Sequence, residues 1–355
     1  MGRSLPALAV AAALSPGFAL AAEPPAAALA PETARDYARP HELVDIGGRK
    51  LNLFCMGSGK TTVLFEAGGS DWSVIWALVQ PAIAKQARAC AYDRAGLGYS
   101  DPAFLPRTPV AVVEDMHQLI AKAGLKTPLV LVGHSLGGFN AKLYAALYPK
   151  DVAGLVLVDP AEECQAERVR AMLQGRYGST FTARVELTDQ AFGTWLLDRY
   201  RRCAAAATAA LDPSSDIYRR CSDPVRPKLG PEIAAERQRI QVTPTYQAAQ
   251  ASEILNSVYG DTRGEPIYAE LFRPGAFGAI PMVVLTHGDF DKEDPSDVAD
   301  HEAGVFLHTE TAGLSTRGRQ RTVAGTSHNI EIDRPEAIVE AVREVLALAN
   351  DSPRL

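Results

Sequence analysis

The sequence predicts an α/β protein: a mostly parallel central sheet with helices on both faces and a helical lid inserted between core strands. Two observations predict this class. Apolar runs of strand length alternate with helix-length segments from residue 41 onward, and the alternation stops between residues 161 and 279. Continuous apolar runs are typical of strands buried on both faces, as in a parallel sheet covered by helices.

The first two strands are predicted as a hairpin and the others as parallel strands. His41–Ile46 and Lys50–Cys55 are joined through Gly47 and Gly48, a connection typical of an antiparallel pair. Each later strand is a short apolar run followed by a helix-length segment, as in βα units. These runs are Thr62–Phe65, Ala87–Tyr92, Leu129–Val132, Leu155–Val158 and Met282–Leu285.

Helices are predicted where apolar residues recur three and four positions apart. In Val110–Ala123 this spacing forms one apolar face, and Pro335–Ala349 repeats the pattern. Within the region that lacks strands, segments such as Arg199–Leu211 are helical in pattern, so we expect residues 161–279 to form the lid. The expected core then has two parts, residues 41–160 and residues 280–355.

The N-terminal segment is predicted to be a secretory signal peptide, residues 1–21. Arg3 supplies a positive start, Leu5–Leu20 is a short apolar stretch, and small residues precede a cleavage site after Ala21. The stretch is too short to cross about 30 Å of hydrocarbon, so we expect a periplasmic or secreted protein with no stable membrane span. Residues 22–40, rich in Ala and Pro, are expected to be a flexible lead-in.

Composition and charge limit the classes of partner. The chain has 355 residues, of which 47% are hydrophobic and 22% charged, so it can bury a large core. Its formal net charge of -6, without a long run of Lys and Arg, disfavours binding to nucleic acid and to anionic membranes. We therefore expect a small-molecule partner and no nucleic acid. The sequence leaves the oligomeric state open.

A chemical motif stands where an apolar strand runs into Gly133-His134-Ser135-Leu136-Gly137, a G-x-S-x-G pattern ahead of a helix-like segment. A serine on a sharp strand-to-helix turn needs small neighbours, and the two glycines let the backbone pass closely. The helix start also directs the backbone N–H of Leu136 toward a substrate oxygen that develops negative charge. Ser135 is therefore predicted to be a nucleophile, with Leu136 as one donor of an oxyanion hole.

With this elbow, the sequence resembles the α/β-hydrolase superfamily from His41 to Ala349. Phe65–Ser70 is similar to the loop after the third strand of the family, which implies that the backbone N–H of Gly69 is the second oxyanion-hole donor. Cys90–Ser100 is similar to the family's turn after the fourth strand, whose aspartate and arginine fix neighbouring loops.

The resemblance also implies the base. Gly325–Pro335 is similar to the family's last-strand loop, in which a histidine meets the serine before a helix that starts at proline, so His328 is the implied base. The order of serine before histidine along the chain agrees. The remaining candidate histidines are expected to be surface or packed residues: His134, His287, His301 and His308.

Two positions compete for the acid that orients His328. Most members place it after the strand that follows the insertion, where this chain has Asp289 and Asp291. Some members place it one strand earlier, where Asp159 follows an apolar run. The long stretch from Asp291 to His328 favours Asp159, and Asp291 stays as the alternative acid.

The cysteines are interpreted through export, because an oxidising compartment lets thiols pair. The resemblance places the second strand beside the fourth, which implies a disulfide between Cys55 and Cys90. Cys203 and Cys221 are a second candidate pair inside the lid. No Cys or Cys/His spacing suggests a zinc site, so no metal is expected.

The elbow and the resemblance together predict a carboxylesterase-like serine hydrolase with a small-molecule ester substrate, working through an acyl-enzyme intermediate. This chemistry uses no cofactor. A serine at the elbow, where dehalogenases and epoxide hydrolases of the superfamily use an aspartate, argues against those two reactions. The alternatives are cleavage of a carbon-carbon or amide bond or perhydrolysis by the same triad, and a receptor-like member that binds its ligand with slow turnover.

Overall fold

The computed structural model describes residues 29–351, apart from residues 261, 263 and 264. The predicted signal peptide, residues 1–21, lies outside the described residues and stays a prediction. Among the helices of the described part, none combines the length and the apolar character that crossing a membrane requires.

The core is an eight-stranded sheet. Its strands are β1 (Glu42–Asp45), β2 (Lys50–Met56), β3 (Thr62–Glu66), β4 (Arg88–Tyr92), β5 (Leu129–His134), β6 (Val152–Val158), β7 (Met282–His287) and β8 (Gly318–Val323). Their order is β1-β2-β4-β3-β5-β6-β7-β8. β2 pairs antiparallel with β1 and β4, and all other neighbours are parallel. The predicted hairpin and the five predicted apolar strands are confirmed.

β8 has no strand-like pattern in the sequence. Its residues include Arg319, Gln320 and Arg321 in succession, and it lies at the edge of the sheet with β7 as its neighbour. An edge strand exposes one side to solvent, so it does not need the continuous apolar run that marks the central strands.

Helices cover both faces of the sheet, because alternate residues of a strand point to opposite faces. The helices are α1 (Pro31–Tyr37), α2 (Gln80–Ile83), α3 (Pro109–Lys122), α4 (Leu136–Leu147), α5 (Gln165–Tyr177), α6 (Ser179–Ala206), α7 (Asp216–Cys221), α8 (Pro231–Gln241), α9 (Pro244–Leu255), α10 (Pro266–Leu271), α11 (Pro295–Ala312), α12 (Ile330–Asp333) and α13 (Pro335–Asp351). Val63 and Phe65 of β3 belong to the same buried apolar cluster as residues of α13, whereas Leu64 belongs to the cluster that includes residues of α3 and α4. Burying one such side chain contributes about 1.5–3 kcal/mol, so the two apolar layers hold the strand ends firmly.

In its described residues, the insertion between β6 and β7 contains six α-helices, α5 to α10, one short 3₁₀ helix (Pro227–Leu229) and no strand. It is attached to the loop that follows β3. The hydroxyl of Tyr200 lies 2.9 Å from Ser70 Oγ, and the hydroxyl of Tyr246 donates to the Ser70 carbonyl oxygen at 2.7 Å. The insertion therefore contacts the edge of the sheet at which β3 and β5 end.

Two disulfides cross-link the described chain. Cys55 on β2 and Cys90 on β4 face each other in the register of the two strands, with their Cα atoms 4.0 Å apart. Cys203 on α6 and Cys221 on α7 form the second bond, with a Cα–Cα distance of 5.5 Å. Both pairings expected from the sequence are confirmed.

The expected flexible lead-in is wrong for residues 31–37, which form α1. Ala34 and Tyr37, one helical turn apart, are buried against the core. The Tyr37 hydroxyl donates to Gln80 Oε1 at 2.7 Å. A seven-residue helix that buries two residues has too little periodicity to be recognised in a segment rich in Ala and Pro.

Candidate active site

Ser135 occupies the sharp turn between β5 and α4, with φ of 51° and ψ of -123°. A non-glycine residue with positive φ is strained, so the surrounding backbone must hold it in place. A Cβ atom on Gly137 would lie 2.2 Å from the carbonyl oxygen of Ala67, and one on Gly133 would lie 2.4 Å from the carbonyl oxygen of Gly137. Both positions therefore require glycine, for the steric reason that the sequence pattern indicates.

The two predicted oxyanion-hole donors lie on segments that touch each other. Leu136 is the first residue of α4, so its N–H is one of the four at a helix start that have no partner within the helix. A Cβ atom on Gly69 would lie 3.8 Å from the Cβ atom of Leu136, and one on Gly68 would lie 3.4 Å from the Cβ atom of Ser135. The loop after β3 thus packs directly against the elbow.

Arg94 holds this loop in place through two hydrogen bonds to its backbone. Its Nη1 donates to the Ala67 carbonyl at 2.6 Å and its Nη2 to the Gly68 carbonyl at 2.7 Å. The guanidinium is buried and forms ion pairs with Glu66 at 3.1 Å and Glu253 at 2.8 Å. Because both flanking carboxylates neutralise it, the buried charge serves as a rigid support for the backbone around Gly69.

His328 lies after β8, and its Nδ1 is 2.5 Å from Oδ2 of Asp159. Asp159 directly follows β6 and is only 4% exposed. Burial raises the pKa of Asp159, but hydrogen bonds from His287 and His328 outweigh it and hold the pKa well below its usual range. The ionised carboxylate accepts, so Nδ1 of His328 carries the proton and Nε2 is left as the basic nitrogen.

The topology explains why Asp159 and Ser135 are near each other. β5 and β6 are parallel neighbours in which His134 pairs with Val158, the residues immediately before Ser135 and Asp159. The Ser135 N–H donates to the Val158 carbonyl at 3.0 Å. Adjacent strand ends therefore carry the predicted nucleophile and the carboxylate.

The alternative acids lie elsewhere. Asp291 is exposed and accepts from the backbone N–H of Glu293 at 2.9 Å, while its own N–H donates to Asp297 at 2.6 Å, which organises the loop before α11. Asp289 is also exposed, and its backbone N–H donates to the Thr326 carbonyl at 2.9 Å. The carboxylate that contacts His328 belongs to Asp159.

His134 and His308 are buried and make hydrogen-bond contacts with neighbouring groups. His134 Nε2 lies 2.9 Å from the carbonyl oxygen of His328, and burial lowers the pKa of His134 to about 3, so its ring is neutral. His308 lies between the Thr286 hydroxyl, 2.8 Å from its Nδ1, and the Pro160 carbonyl, 3.1 Å from its Nε2. These contacts agree with the expectation that both are packed residues.

Sequence reasoning missed His287, the last residue of β7. Its Nδ1 lies 2.8 Å from Oδ2 and 3.0 Å from Oδ1 of Asp159, and its backbone N–H donates to Oδ1 at 3.0 Å. The one available signal was its position at the end of the strand that follows the insertion. Asp159, His287 and His328 bring potential metal-ligand atoms within 4.8 Å of one another. Since both imidazole Nδ1 atoms already face the same carboxylate, hydrogen bonding accounts for the cluster.

Tyr259 was also missed. It belongs to the insertion, just after α9, where the sequence gives no sign of a functional tyrosine. Burial raises the pKa of Tyr259 to about 12, although its hydrogen bond with the Ser135 side chain acts in the opposite direction. The insertion thus places a phenol that stays protonated at neutral pH beside the candidate nucleophile.

Comparison with protein families assigns the fold that this geometry suggests. A family model described as the alpha/beta hydrolase fold matches residues 61–332, which is more than half of the chain. The chain belongs to the alpha/beta hydrolase fold family.

Two curated relatives match only part of this alpha/beta hydrolase. It is 31% identical over 119 residues, 33% of this chain and 37% of the relative, to the uncharacterized protein YbdG of Bacillus subtilis. It is 34% identical over 108 residues, 28% of this chain and 30% of the relative, to a (lyso)-N-acylphosphatidylethanolamine lipase of Mus musculus. The chain therefore spans less than half of each of these relatives.

Solved structures resemble this alpha/beta hydrolase along nearly the whole chain. An esterase from Thermogutta terrifontis has a TM-score of 0.55 at 19% identity, covering 88% of this chain and 99% of the esterase. A candidate lipase from Acinetobacter baumannii has a TM-score of 0.62 at 17% identity, covering 90% and 95%. At these identities the similarity concerns the fold, and together with the family match it supports a hydrolase.

Proposed function

We propose that this protein is a serine hydrolase that cleaves carboxylic esters of small molecules through an acyl-enzyme intermediate. The observation that carries the proposal is the contact of 2.5 Å between His328 Nδ1 and Asp159 Oδ2. Asp159 follows the strand that pairs with the one ending at Ser135, which lies on a strained elbow. A buried carboxylate that orients an imidazole beside a nucleophilic hydroxyl is the arrangement used for acyl transfer.

In the first half-reaction, Nε2 of His328 takes the proton of Ser135 as Oγ attacks the ester carbonyl. The carbonyl oxygen becomes an oxyanion, which the backbone N–H groups of Gly69 and Leu136 stabilise. His328 then gives the proton to the departing alkoxide, leaving an acyl group on Ser135 and a free alcohol. Loss of a single oxyanion-hole donor typically costs about 2.7–4 kcal/mol of transition-state stabilisation.

In the second half-reaction, water replaces the alcohol. His328 removes a proton from water, the resulting hydroxide attacks the acyl carbon, and the proton returns to Ser135 Oγ as the carboxylic acid leaves. Asp159 remains ionised throughout, because the hydrogen bonds it accepts keep its pKa low. Its role is to hold the tautomer of His328 and to stabilise the imidazolium that forms in both steps.

The insertion is proposed to act as a lid over this site. Ile254 of α9 approaches Gly69, since a Cβ atom on that glycine would lie 2.9 Å from Ile254 Cδ1. Tyr259, from the same insertion, interacts with the Ser135 side chain. Apolar and phenolic groups at these positions would exclude water from the carbonyl and contact the acyl or alcohol part of an ester.

We also propose an exported location. The two disulfides fit an oxidising compartment, since cytoplasmic thiols are usually kept reduced. The predicted signal peptide, residues 1–21, agrees with this, and N-terminal sequencing of protein purified from the periplasm or medium would test cleavage after Ala21.

The test of the enzymatic proposal is hydrolysis of p-nitrophenyl esters of graded acyl length by the wild type and by Ser135→Ala. We expect the substitution to abolish turnover while the melting temperature stays close to the wild type, because removing one hydroxyl opens no core cavity. Ser214→Ala, at an exposed serine of the insertion that bonds with Asp212, is the matched control and should be fully active.

Covalent labelling gives an independent readout. A serine-directed phosphonate should add one phosphonyl group to Ser135, as read by peptide mass spectrometry, and His328→Ala should prevent the reaction. Unchanged turnover in Ser135→Ala, or labelling at another serine, would refute the proposal.

A further inference from the structure

The carboxylate of Asp159 is shared by two imidazoles. Oδ2 lies 2.5 Å from Nδ1 of His328 and 2.8 Å from Nδ1 of His287, while Oδ1 accepts from the backbone N–H of His287 at 3.0 Å. The reaction proposed above uses His328 and leaves His287 without a role. His287 nevertheless makes three short contacts to this buried carboxylate, two from its ring Nδ1 and one from its backbone N–H.

Strand pairing fixes this arrangement. β6 and β7 are parallel neighbours in which Val158 pairs with Leu285, and the Asp159 N–H donates to the Leu285 carbonyl at 2.7 Å. His287, two residues further along β7, therefore holds the carboxylate with both its backbone and its ring. Asp159 itself has a positive φ of 44°, a strained backbone conformation that the surrounding contacts must hold.

We propose that His287 is a positioning residue that fixes the Asp159 carboxylate and, by sharing Oδ2 with His328, sets the pH range in which His328 acts as a base. This inference rests on the proposed ester hydrolysis. Hydrogen bonds join His287 to the carboxylate of Asp159 by its ring and its backbone, so it acts through Asp159.

His287 opposes the protonation of His328 in two ways. Each hydrogen bond donated to Oδ2 reduces the charge that the other imidazole experiences, so His287 weakens the pull of Asp159 on a proton at His328 Nε2. A proton on His287 adds a positive charge that also opposes protonation of His328. The groups that face His287 are Asp159 and His328, Asp289 after β7, and Asp297 and His301 on α11. Without His287, the acid limb of the activity profile should therefore move to higher pH.

Solvent reaches this cluster. The side chains of His287 and His328 are 33% and 49% exposed, whereas that of Asp159 is 5% exposed. Protons can therefore exchange at both rings while the carboxylate between them stays shielded, which is the condition for one ring to influence the other through it.

The test compares two substitutions with a matched control. His287→Ala removes the side-chain donor and the titrating ring, whereas His287→Asn retains an N–H donor near the position of Nδ1 but cannot become charged. His301→Asn removes a neighbouring imidazole, whose ring centre is 5.9 Å from that of His287. We measure kcat, KM and the pH profile of kcat/KM with a p-nitrophenyl ester for all four proteins.

For His287→Ala we expect kcat to fall about 10-fold with little change in KM, the loss expected when a charge-assisted hydrogen bond that orients a reacting group is removed. The acid limb should rise by roughly half a pH unit or more. His287→Asn should recover most of kcat but keep part of the shift, and His301→Asn should resemble the wild type. If His287→Ala matches the wild type in both kcat and pH profile, the inference is wrong.

A second readout separates this inference from the reaction itself. The proton between His328 Nδ1 and Asp159 is expected to give a low-field ¹H NMR signal, which does not require turnover. Its position should change in His287→Ala and stay constant in His301→Asn. An unchanged signal refutes the role of His287 whether or not esters are hydrolysed, whereas a changed signal in a protein without esterase activity refutes only the reaction. If His287→Ala does not fold, the pH profile of His287→Asn decides, and an acid limb identical to that of the wild type would refute the inference.

Discussion

Replacing Asp159 by Asn tests the proposed triad most directly, because the neighbouring donors determine the orientation of the new amide. One end of the side chain faces the backbone N–H of His287 at 3.0 Å, and the other faces Nδ1 of His328 at 2.5 Å. The backbone N–H can only donate, so the amide oxygen must turn toward it. The amide NH₂ then faces Nδ1 of both His328 and His287 and makes both nitrogens accept, which moves the ring proton of His328 to Nε2.

In that tautomer His328 cannot take the proton of Ser135. We expect kcat/KM for a p-nitrophenyl ester to fall about 10⁴-fold, the loss typical when a triad aspartate becomes an amide and equal to roughly 5.4 kcal/mol. The fold should survive, because Asn tolerates the positive φ of 44° at this position.

Asp291→Asn is the matched control, since it changes the alternative acid in the same way at an exposed position. It should keep wild-type activity. Steady-state kinetics and circular dichroism melting of the two variants give the comparison. Activity of Asp159→Asn within tenfold of the wild type, or a large loss in Asp291→Asn, would refute the reasoning.

Two further predictions concern stability. Cys55→Ala combined with Cys90→Ala opens a link across 35 residues and should lower the free energy of unfolding by about 4 kcal/mol in urea titrations; a change below about 1 kcal/mol would contradict this. Glu331 is fully buried, and burial raises its pKa from 4.5 to about 8. The folded state therefore holds more protons than the unfolded state between these values, and stability falls as pH rises through this window. Glu331→Gln should be more stable than the wild type at pH 9, by at most about 5 kcal/mol at 1.36 kcal/mol per pKa unit, and the gain should vanish near pH 4.5; a pH-independent difference would exclude this origin.

The central elements could be predicted because their patterns are local. Strands such as β5 and β6 are buried on both faces and show continuous apolar runs, and α3 has one apolar face. Two elements at the margin of the fold could not be predicted, because their sequences show no such apolar pattern. β8 is a polar edge strand, and α1 buries only Ala34 and Tyr37.

The insertion between β6 and β7 shows the same division. Its helical character could be read from the sequence, but its attachment could not. Ser70 contacts Tyr200 and Tyr246 across 130 and 176 residues of chain, and no periodicity within a segment records which distant loop it packs against.

The elbow at Ser135 could be predicted from the sequence alone, because it is a property of five consecutive residues. The positive φ of the serine and the close approach at Gly133 and Gly137 are local steric demands. Only the tertiary structure shows which carboxylate contacts His328. Asp159 lies 169 residues from His328 and 128 from His287 along the chain. It reaches both because β6, β7 and β8 are parallel neighbours, with His287 at the end of β7 and His328 in the loop after β8. Register is set by packing across the whole sheet, so only the folded chain reveals that two imidazoles share one carboxylate.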